Sequence, residues 1–324
     1  YKPSQPHILS VRGKTQGQAQ SGFKVLTETP LAGYLGEFIH DVSMTGALDV
    51  SLKLDAPLQH KAQPETTPDG EEVVENPGLA VTANIDLSEG SLAIASQGLQ
   101  VEDLSGEVEF DLDRGLQAHQ LTGTLFNGPL VGEITTTRLE QGRQIQLNVA
   151  GNGALQKIKE WKPMPVMTAV SGTIDYQFGL YIPMGDMARK HPKYFQVYSN
   201  LRGVQVDLPP PFAKPAAVDS VFSLRRTLED DASELQLKYN DSLSLVLLNS
   251  ETQLLKGMVR FGPGSVSLPE KNRLVVQGVL PEFDDQKWRA SFNRVQMASE
   301  NKTEQFDSSA LKMVDDTALR IEQL

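Results

Sequence analysis

In Gly46-Ala-Leu-Asp-Val-Ser-Leu-Lys-Leu-Asp-Ala-Pro-Leu58 apolar and polar residues alternate, and the pattern returns in Gly172-Thr-Ile-Asp-Tyr-Gln-Phe-Gly-Leu-Tyr-Ile-Pro-Met184. Glycine, aspartate, leucine and proline are identical at the first, fourth, ninth and twelfth positions of the two copies. Strict alternation is the period of a β-strand with one apolar face. The repeat therefore predicts two units built on the same strand plan.

A stretch with helical spacing precedes each copy. Before the second copy, Leu155, Ile158 and Trp161 follow this spacing until Pro163 and Pro165 end it. Before the first copy the apolar positions behind the start signal Thr29-Pro30 are Leu31, Tyr34, Leu35, Phe38, Ile39 and Val42. Each unit is thus predicted to begin with a helix and continue as a strand.

Short alternating runs separated by glycine, proline and asparagine follow both copies, which predicts consecutive antiparallel strands. We expect a mainly β fold of elongated, twisted antiparallel repeats with short helices between units. The predicted divisions are strands completing a preceding repeat at 1–29, unit one at 30–152, unit two at 153–273, and a third unit with a polar linker at 274–324. A polar, proline-rich insertion at 59–77 is expected to form a surface loop.

The third unit is predicted to start at Leu274-Val-Val-Gln-Gly-Val-Leu280. Trp288, Ala290 and Phe292 alternate after it and predict one more strand. Near the carboxyl end two interpretations stay open, because Leu311, Val314, Ala318 and Ile321 fit a helix face while 318–324 alternates weakly.

The composition excludes several classes of function. The net charge of −11 and the pI near 5.0 disfavour nucleic acid as a partner. With no cysteine there is no disulfide framework and no thiolate chemistry. No apolar run has the length of a membrane-spanning helix, and the chain begins at Tyr1, so we expect a fragment whose targeting or anchoring segment lies upstream.

No catalytic or metal-binding motif stands out. Ser21-Gly-Phe-Lys24 and Ser309-Ala-Leu-Lys312 match a serine-acylase pattern but lack its partner motifs. The histidines form no metal-binding pair, and a carboxylate pair for glycoside hydrolysis is defined by spatial separation, so the sequence singles out none. We therefore predict neither an enzyme, nor a metal, nor a cofactor.

Strands with one apolar face must cover that face by closing, by pairing with another sheet, or by curling around something apolar. A closed core and a ligand-binding groove use the same residues, so the alternation alone leaves both interpretations open.

Several phrases taken together resemble a known family. Leu104-Ser-Gly-Glu-Val-Glu-Phe110 and Gly115-Leu-Gln-Ala-His-Gln-Leu-Thr-Gly-Thr-Leu-Phe126 follow the first copy of the repeat. Ser199-Asn-Leu-Arg-Gly-Val-Gln-Val-Asp-Leu-Pro-Pro-Pro-Phe-Ala-Lys214 and the segment from Leu274 to Trp288 come later. In this order, from about Val11 to Phe292, they resemble the YhdP-like branch of the AsmA-like superfamily.

The resemblance implies a β-sheet arch with a concave hydrophobic groove in the periplasm of a Gram-negative bacterium, in a parent protein anchored in the inner membrane. It also implies a non-enzymatic role in moving phospholipid towards the outer membrane. Exposing two acyl chains of roughly 16 carbons to water costs on the order of 25 kcal/mol, so a lipid in transit needs continuous shielding.

On this hypothesis the partners are phospholipid acyl chains and, in addition, other envelope proteins. The alternative is a structural or assembly module for envelope proteins with a closed β core. The candidate groove residues are the apolar positions of the two copies: Leu48, Val50, Leu52, Leu54, Ile174, Tyr176, Phe178 and Leu180.

Overall fold

The computed structural model describes residues 8–21, 41–58, 65–66, 72–73, 79–140, 142–229, 231–250, 253–279, 284, 286–291 and 317–322. Its strands are β1 (Ile8–Gln18), β2 (Val42–Pro57), β3 (Glu65–Thr66), β4 (Glu72–Val73), β5 (Ala80–Ile94), β6 (Leu99–Asp111), β7 (Gly115–Leu125), β8 (Gly128–Leu139), β9 (Gly142–Ala154), β10 (Val170–Met184), β11 (Tyr194–Ser199), β12 (Val204–Val206), β13 (Phe222–Thr227), β14 (Ser233–Tyr239), β15 (Leu243–Asn249), β16 (Leu254–Phe261), β17 (Leu274–Val279) and β18 (Thr317–Glu322). Helical segments are short and include α1 (Leu155–Trp161) and residues 286–291.

The strands pair mostly with their neighbours in the chain, in the order β1-β2-β5-β6-β7-β8-β9-β10-β11-β13-β14-β15-β16-β17-β18. Strand β12 pairs with β10 off this path, and β3 and β4 pair with each other. The predicted mainly β, antiparallel fold with short helices is confirmed. Parallel pairing occurs at the carboxyl end, where β17 is parallel to both β16 and β18.

Backbone contacts divide the chain into two compact units. Unit one comprises Tyr1–Thr122 with Glu133–Arg138, and unit two comprises Gly123–Gly132 with Leu139–Leu324. The first copy of the repeat lies in β2 of unit one and the second in β10 of unit two. The four-part division inferred from the repeat remains a prediction.

The two copies share their local plan. In unit one Gly17 of β1 pairs with Leu48 of β2, and in unit two Gly153 of β9 pairs with Ile174 of β10. Two residues after each of these glycines a short helical stretch opens on a buried apolar residue, Ala19 or Leu155. The predicted helix at 155–161 is therefore confirmed, whereas the one predicted before the first copy falls on residues outside the described ranges, apart from Val42, which begins β2.

The glycine that opens each copy permits a close approach of two backbone segments. Gly46 has φ +112°, and a Cβ there would lie 2.5 Å from Gly90 Cα across a bulge between β2 and β5. Gly172 has φ +106°, and a Cβ there would lie 2.1 Å from the carbonyl oxygen of Gly203. Only glycine adopts this backbone conformation at such short range without strain, which accounts for its identity in both copies.

The strand predicted at Trp288 and Ala290 is wrong, because residues 286–291 are helical, and Phe292 lies outside the described residues. The Asp284 carboxylate accepts the backbone N–H of Lys287 at 3.0 Å, and the Asp284 carbonyl accepts that of Trp288 at 3.0 Å. The hydrogen bond from the Lys287 backbone is the main reason that the pKa of Asp284 lies below its ordinary value. An aspartate that caps a helix start outweighs a weak alternation of apolar residues.

Other predictions fall on the margins of the described ranges. Near the carboxyl end β18 favours the alternating interpretation over the helical one. Of the insertion at 59–77 only the short strands β3 and β4 are described, and the polar linker lies outside the described residues.

Candidate functional site

In unit one the apolar positions of β2 form one face together with those of the strands beside it. Paired residues of antiparallel strands project to the same side of a sheet. Across β2, β5 and β6 the pairs run Leu48–Leu87–Gly106, Val50–Ile85–Val108 and Leu52–Ala83–Phe110, and Leu54 pairs with Val81 of β5 and Val11 of β1. Apolar residues therefore continue across four strands.

This face is covered at one end and open at the other. Leu48 is 8% exposed and packs with Leu87, Leu104 and Ala19 in a buried cluster. Two alternations further along β2, Leu52 is 41% exposed, and on β1 Val11 is 46% exposed. A closed core would bury all three positions, so unit one presents an apolar face of which only one end is packed shut.

Unit two carries a wider face of the same kind. One row of paired residues, here called the middle row, crosses its strands from β9 to β17 and is apolar at every position. Its members are Val149, Phe178, Val197, Leu224, Leu237, Leu245, Val259 and Val276. All eight side chains are half-buried, and none is fully covered.

The next row on the same face, here called the outer row, runs parallel to it. Its members are Leu147, Leu180, Phe195, Arg226, Leu235, Leu247, Gly257 and Leu274. Phe195 stacks on Phe178 of the middle row with ring centroids 5.9 Å apart. Together the two rows make a broad apolar surface.

On the other side of the middle row the face is closed by a cap. The cap consists of α1 and the segment 201–214, in which Leu155, Leu201, Val204 and Val206 form a buried cluster against Ile174, Phe222 and Tyr239. Phe212 packs in the same region, with its ring 6.0 Å from Phe261 and 5.7 Å from Trp288. Unit two thus has one packed end and two open apolar rows.

A buried lysine holds the cap segment together. Lys214 is 3% exposed, and its Nζ donates to the carbonyl oxygens of Val204 at 2.6 Å and Pro215 at 3.0 Å. Loss of hydration lowers the pKa of Lys214 below its ordinary value, and the charge of Asp219 opposes this shift. These hydrogen bonds give the buried ammonium group two backbone acceptors, which offset its loss of hydration.

The eight candidate residues divide between these surroundings. Leu48, Val50 and Ile174 belong to the packed ends, whereas Leu52, Leu54, Phe178 and Leu180 lie on the open parts of the two faces. Their role in holding acyl chains remains a prediction.

Tyr176 is a separate case among the candidates. Its ring lies over β9, since a Cβ on Gly151 would meet the Tyr176 hydroxyl oxygen at 2.5 Å. That hydroxyl is buried without a hydrogen-bond partner among the described residues, and burial raises the pKa of Tyr176 to about 12. Tyr176 therefore packs on the strand beside it, and its role in holding acyl chains also remains a prediction.

The reverse face of unit one is polar, whereas that of unit two is polar over β10 to β14 and carries Val246, Met258 and Val275 over β15 to β17. In unit one a cavity of about 340 Å³ is lined there by side chains that include Arg12, Lys14, Ser51, Lys53, Thr82 and Asn84. In unit two Tyr181 stacks on Tyr194 at 4.5 Å, and the Arg225 guanidinium lies 4.1 Å from the centre of the Tyr194 ring. The sheet is thus amphipathic in unit one and over β10 to β14 of unit two.

Within the described ranges no group of three or more histidine and acidic side chains is arranged to hold a metal ion. No helix in the same ranges is long and apolar enough to cross a membrane.

Comparisons with known proteins agree with these features. A family model described as YhdP protein matches residues 2–324. The intermembrane phospholipid transporter YhdP of Escherichia coli (strain K12) is 29% identical over 212 residues, which cover 64% of this chain and 15% of that protein. The chain thus spans a small part of the length of this relative, and no solved structure matches it. With a family model matched over nearly its whole length, the chain belongs to the YhdP protein family.

Proposed function

We propose that this chain is a non-enzymatic lipid-holding module of a cell-envelope transporter, in which the open apolar rows shield phospholipid acyl chains. The observation that carries the proposal is the middle row of unit two, where eight successive strands each contribute an apolar side chain that is only half-buried. Uncovered apolar surface of this extent is typical of a surface that meets another apolar partner.

The dimensions of the face suit an acyl chain. Neighbouring strands lie about 4.8 Å apart, so the seven steps from β9 to β17 span roughly 34 Å. One leaflet of a bilayer holds its chains in about 15 Å of hydrocarbon. The middle row thus offers an apolar track longer than one acyl chain, and the outer row adds apolar stretches beside it on both sides of Arg226.

The relative supports the choice of lipid among apolar partners, since its name describes an intermembrane phospholipid transporter. By extension we propose that the protein containing this chain works in the periplasm of a Gram-negative bacterium, is anchored in the inner membrane and passes phospholipid between the two membranes. In this mechanism the chain contributes an apolar surface and no covalent step. Burial of each acyl methylene on that surface stabilises the bound lipid by about 0.8 kcal/mol.

The proposal predicts that phospholipid co-purifies with the chain. Native mass spectrometry should detect protein with bound phospholipid, and solvent extraction followed by lipid mass spectrometry should identify it. Lipid-free protein whose apolar rows resist labelling by a photoactivated apolar reagent would contradict the proposal and favour an assembly module with a closed core.

A further inference from the structure

We propose that Arg226 binds the phosphodiester group of a glycerophospholipid held on the apolar face of unit two. This inference rests on the proposed function, because it assigns the headgroup end of the same bound lipid. Its chemical content is an ion pair between a guanidinium and a phosphate monoanion.

The position of Arg226 carries the inference. It occupies a site in the outer row, between Phe195 of β11 and Leu235 of β14, where both neighbours are apolar. Among the described residues of the outer and middle rows, Arg226 alone carries a charge. A single exposed cation within an apolar surface can pair with the anionic group of a ligand whose remaining surface is apolar.

Arg226 also lies where the apolar surface ends on the side of β14 and β15, whereas over β9 and β10 it continues for one more pair, Ile145 and Ile182. Beyond the outer row, the next residues on the same face of β14 and β15 are Ser233 and Asn249, which pair with each other. The Arg226 guanidinium donates to Ser233 Oγ at 3.2 Å, which turns it towards this polar edge. A lipid with chains on the rows and a headgroup at the edge would meet Arg226 at the junction.

The distances on either side of Arg226 fit acyl chains. From β13 to β9 there are three strand spacings, about 14 Å, and from β13 to β17 there are four, about 19 Å. Each is close to the roughly 15 Å that a chain occupies in one leaflet. Two chains that diverge from a headgroup at Arg226 therefore find apolar surface in both directions.

The neighbouring residue is a natural contrast. Arg225 projects to the reverse face, where its guanidinium stacks on the Tyr194 ring at 4.1 Å. Ser233 Oγ is the side-chain partner of Arg226 among the described residues. The guanidinium therefore retains several N–H donors for phosphate oxygens, which it matches in a bidentate geometry.

The test uses two fluorescent lipids with identical acyl chains, a phosphatidylglycerol and a diacylglycerol that lacks the phosphate, titrated into the chain. The wild-type chain should bind the phospholipid about tenfold more tightly than the diacylglycerol, as expected for one charge-assisted contact. Arg226→Gln should remove this preference and leave diacylglycerol binding unchanged. Arg225→Gln is the matched control and should keep the preference.

The outcomes separate the two proposals. If the wild-type chain binds neither lipid, the proposed function fails. If it binds both and Arg226→Gln leaves the phospholipid preference intact, or weakens both lipids equally, the inference on Arg226 fails while the proposed function stands. Displacement of the phospholipid by millimolar inorganic phosphate would also overturn it, as it would indicate a free-anion site. Should Arg226→Gln not fold, Arg226→Met keeps the aliphatic stem and is subject to the same criteria.

Discussion

Replacing Gly172 with alanine is expected to destabilise unit two by more than about 2 kcal/mol. Two effects act together at this position: φ is +106°, and a Cβ would lie 2.1 Å from the Gly203 carbonyl oxygen. Because Gly203 belongs to the cap and its carbonyl accepts the Thr173 N–H at 3.3 Å, the new methyl group would push the cap away from β10. Chemical denaturation followed by tryptophan fluorescence is a suitable measurement. Trp161 belongs to α1 of the cap and Trp288 packs against Phe212 of the cap, so the fluorescence of both tryptophans reports on this region.

Gly185→Ala separates the two effects. Gly185 has φ +66°, but no atom lies within 4 Å of the place that a Cβ would take, so its replacement should cost only the backbone strain of about 1 kcal/mol. Equal losses of folding stability for the two variants would mean that the close approach of Gly172 to Gly203 adds nothing to the cost of a Cβ. That result would contradict the explanation given above for the glycine shared by both copies of the repeat.

Replacing Leu237 with glutamate is expected to reduce phospholipid affinity on the order of a hundredfold, since a carboxylate among acyl methylenes costs about 3 kcal/mol. Leu237 lies in the middle row between Leu224 and Leu245 and is half-buried in the free chain. Its side chain keeps access to water without lipid, so the loss of folding stability should stay near about 1 kcal/mol. Leu52→Glu should act in the same way on the open part of the face in unit one.

The control for this variant is the next residue. Lys238→Glu changes a side chain on the reverse face, where Lys238 forms an exposed ion pair with Asp241 at 3.3 Å. It should leave lipid binding unchanged and alter stability little. A closed core predicts the opposite for Leu237→Glu, namely a large loss of stability, and that outcome would contradict an open face. Lipid titration and denaturation of the same samples decide between the two.

The alternation of apolar residues predicts much of the sheet, and its failures have physical causes. Strand β13 is hard to predict from alternation, because Arg226 stands where the alternation requires an apolar residue, after Phe222 and Leu224. Arg226 thus both interrupts the alternation of β13 and places a charge in the otherwise apolar outer row. At Trp288 the alternation wrongly predicts a strand. The helix begins with a hydrogen bond from the Lys287 backbone to the Asp284 carboxylate, and a periodicity of apolar residues does not reveal such a cap.

The candidate site is only partly accessible to sequence reasoning. The repeat points to β2 and β10, but the rows cross many strands, and which residues share a row is determined by strand register, which single segments do not contain. The phrase 199–214, on which the family resemblance partly rests, forms part of the cap and holds Lys214. It therefore marks the packed end of the face, whereas the open rows, apart from Arg226 and Gly257, consist of valines, leucines and phenylalanines that occur in any sheet.

Photo-cross-linking in cells, with a photoreactive amino acid placed at four positions, tests directly whether phospholipid lies on the apolar faces. Leu52 and Leu237 lie on the apolar faces, and Lys53 and Lys238 lie next to them on the reverse faces. The account predicts covalent phospholipid adducts, identified by mass spectrometry, at 52 and 237 and none at 53 and 238. Adducts at all four positions alike, or protein adducts in place of lipid at 52 and 237, would contradict it.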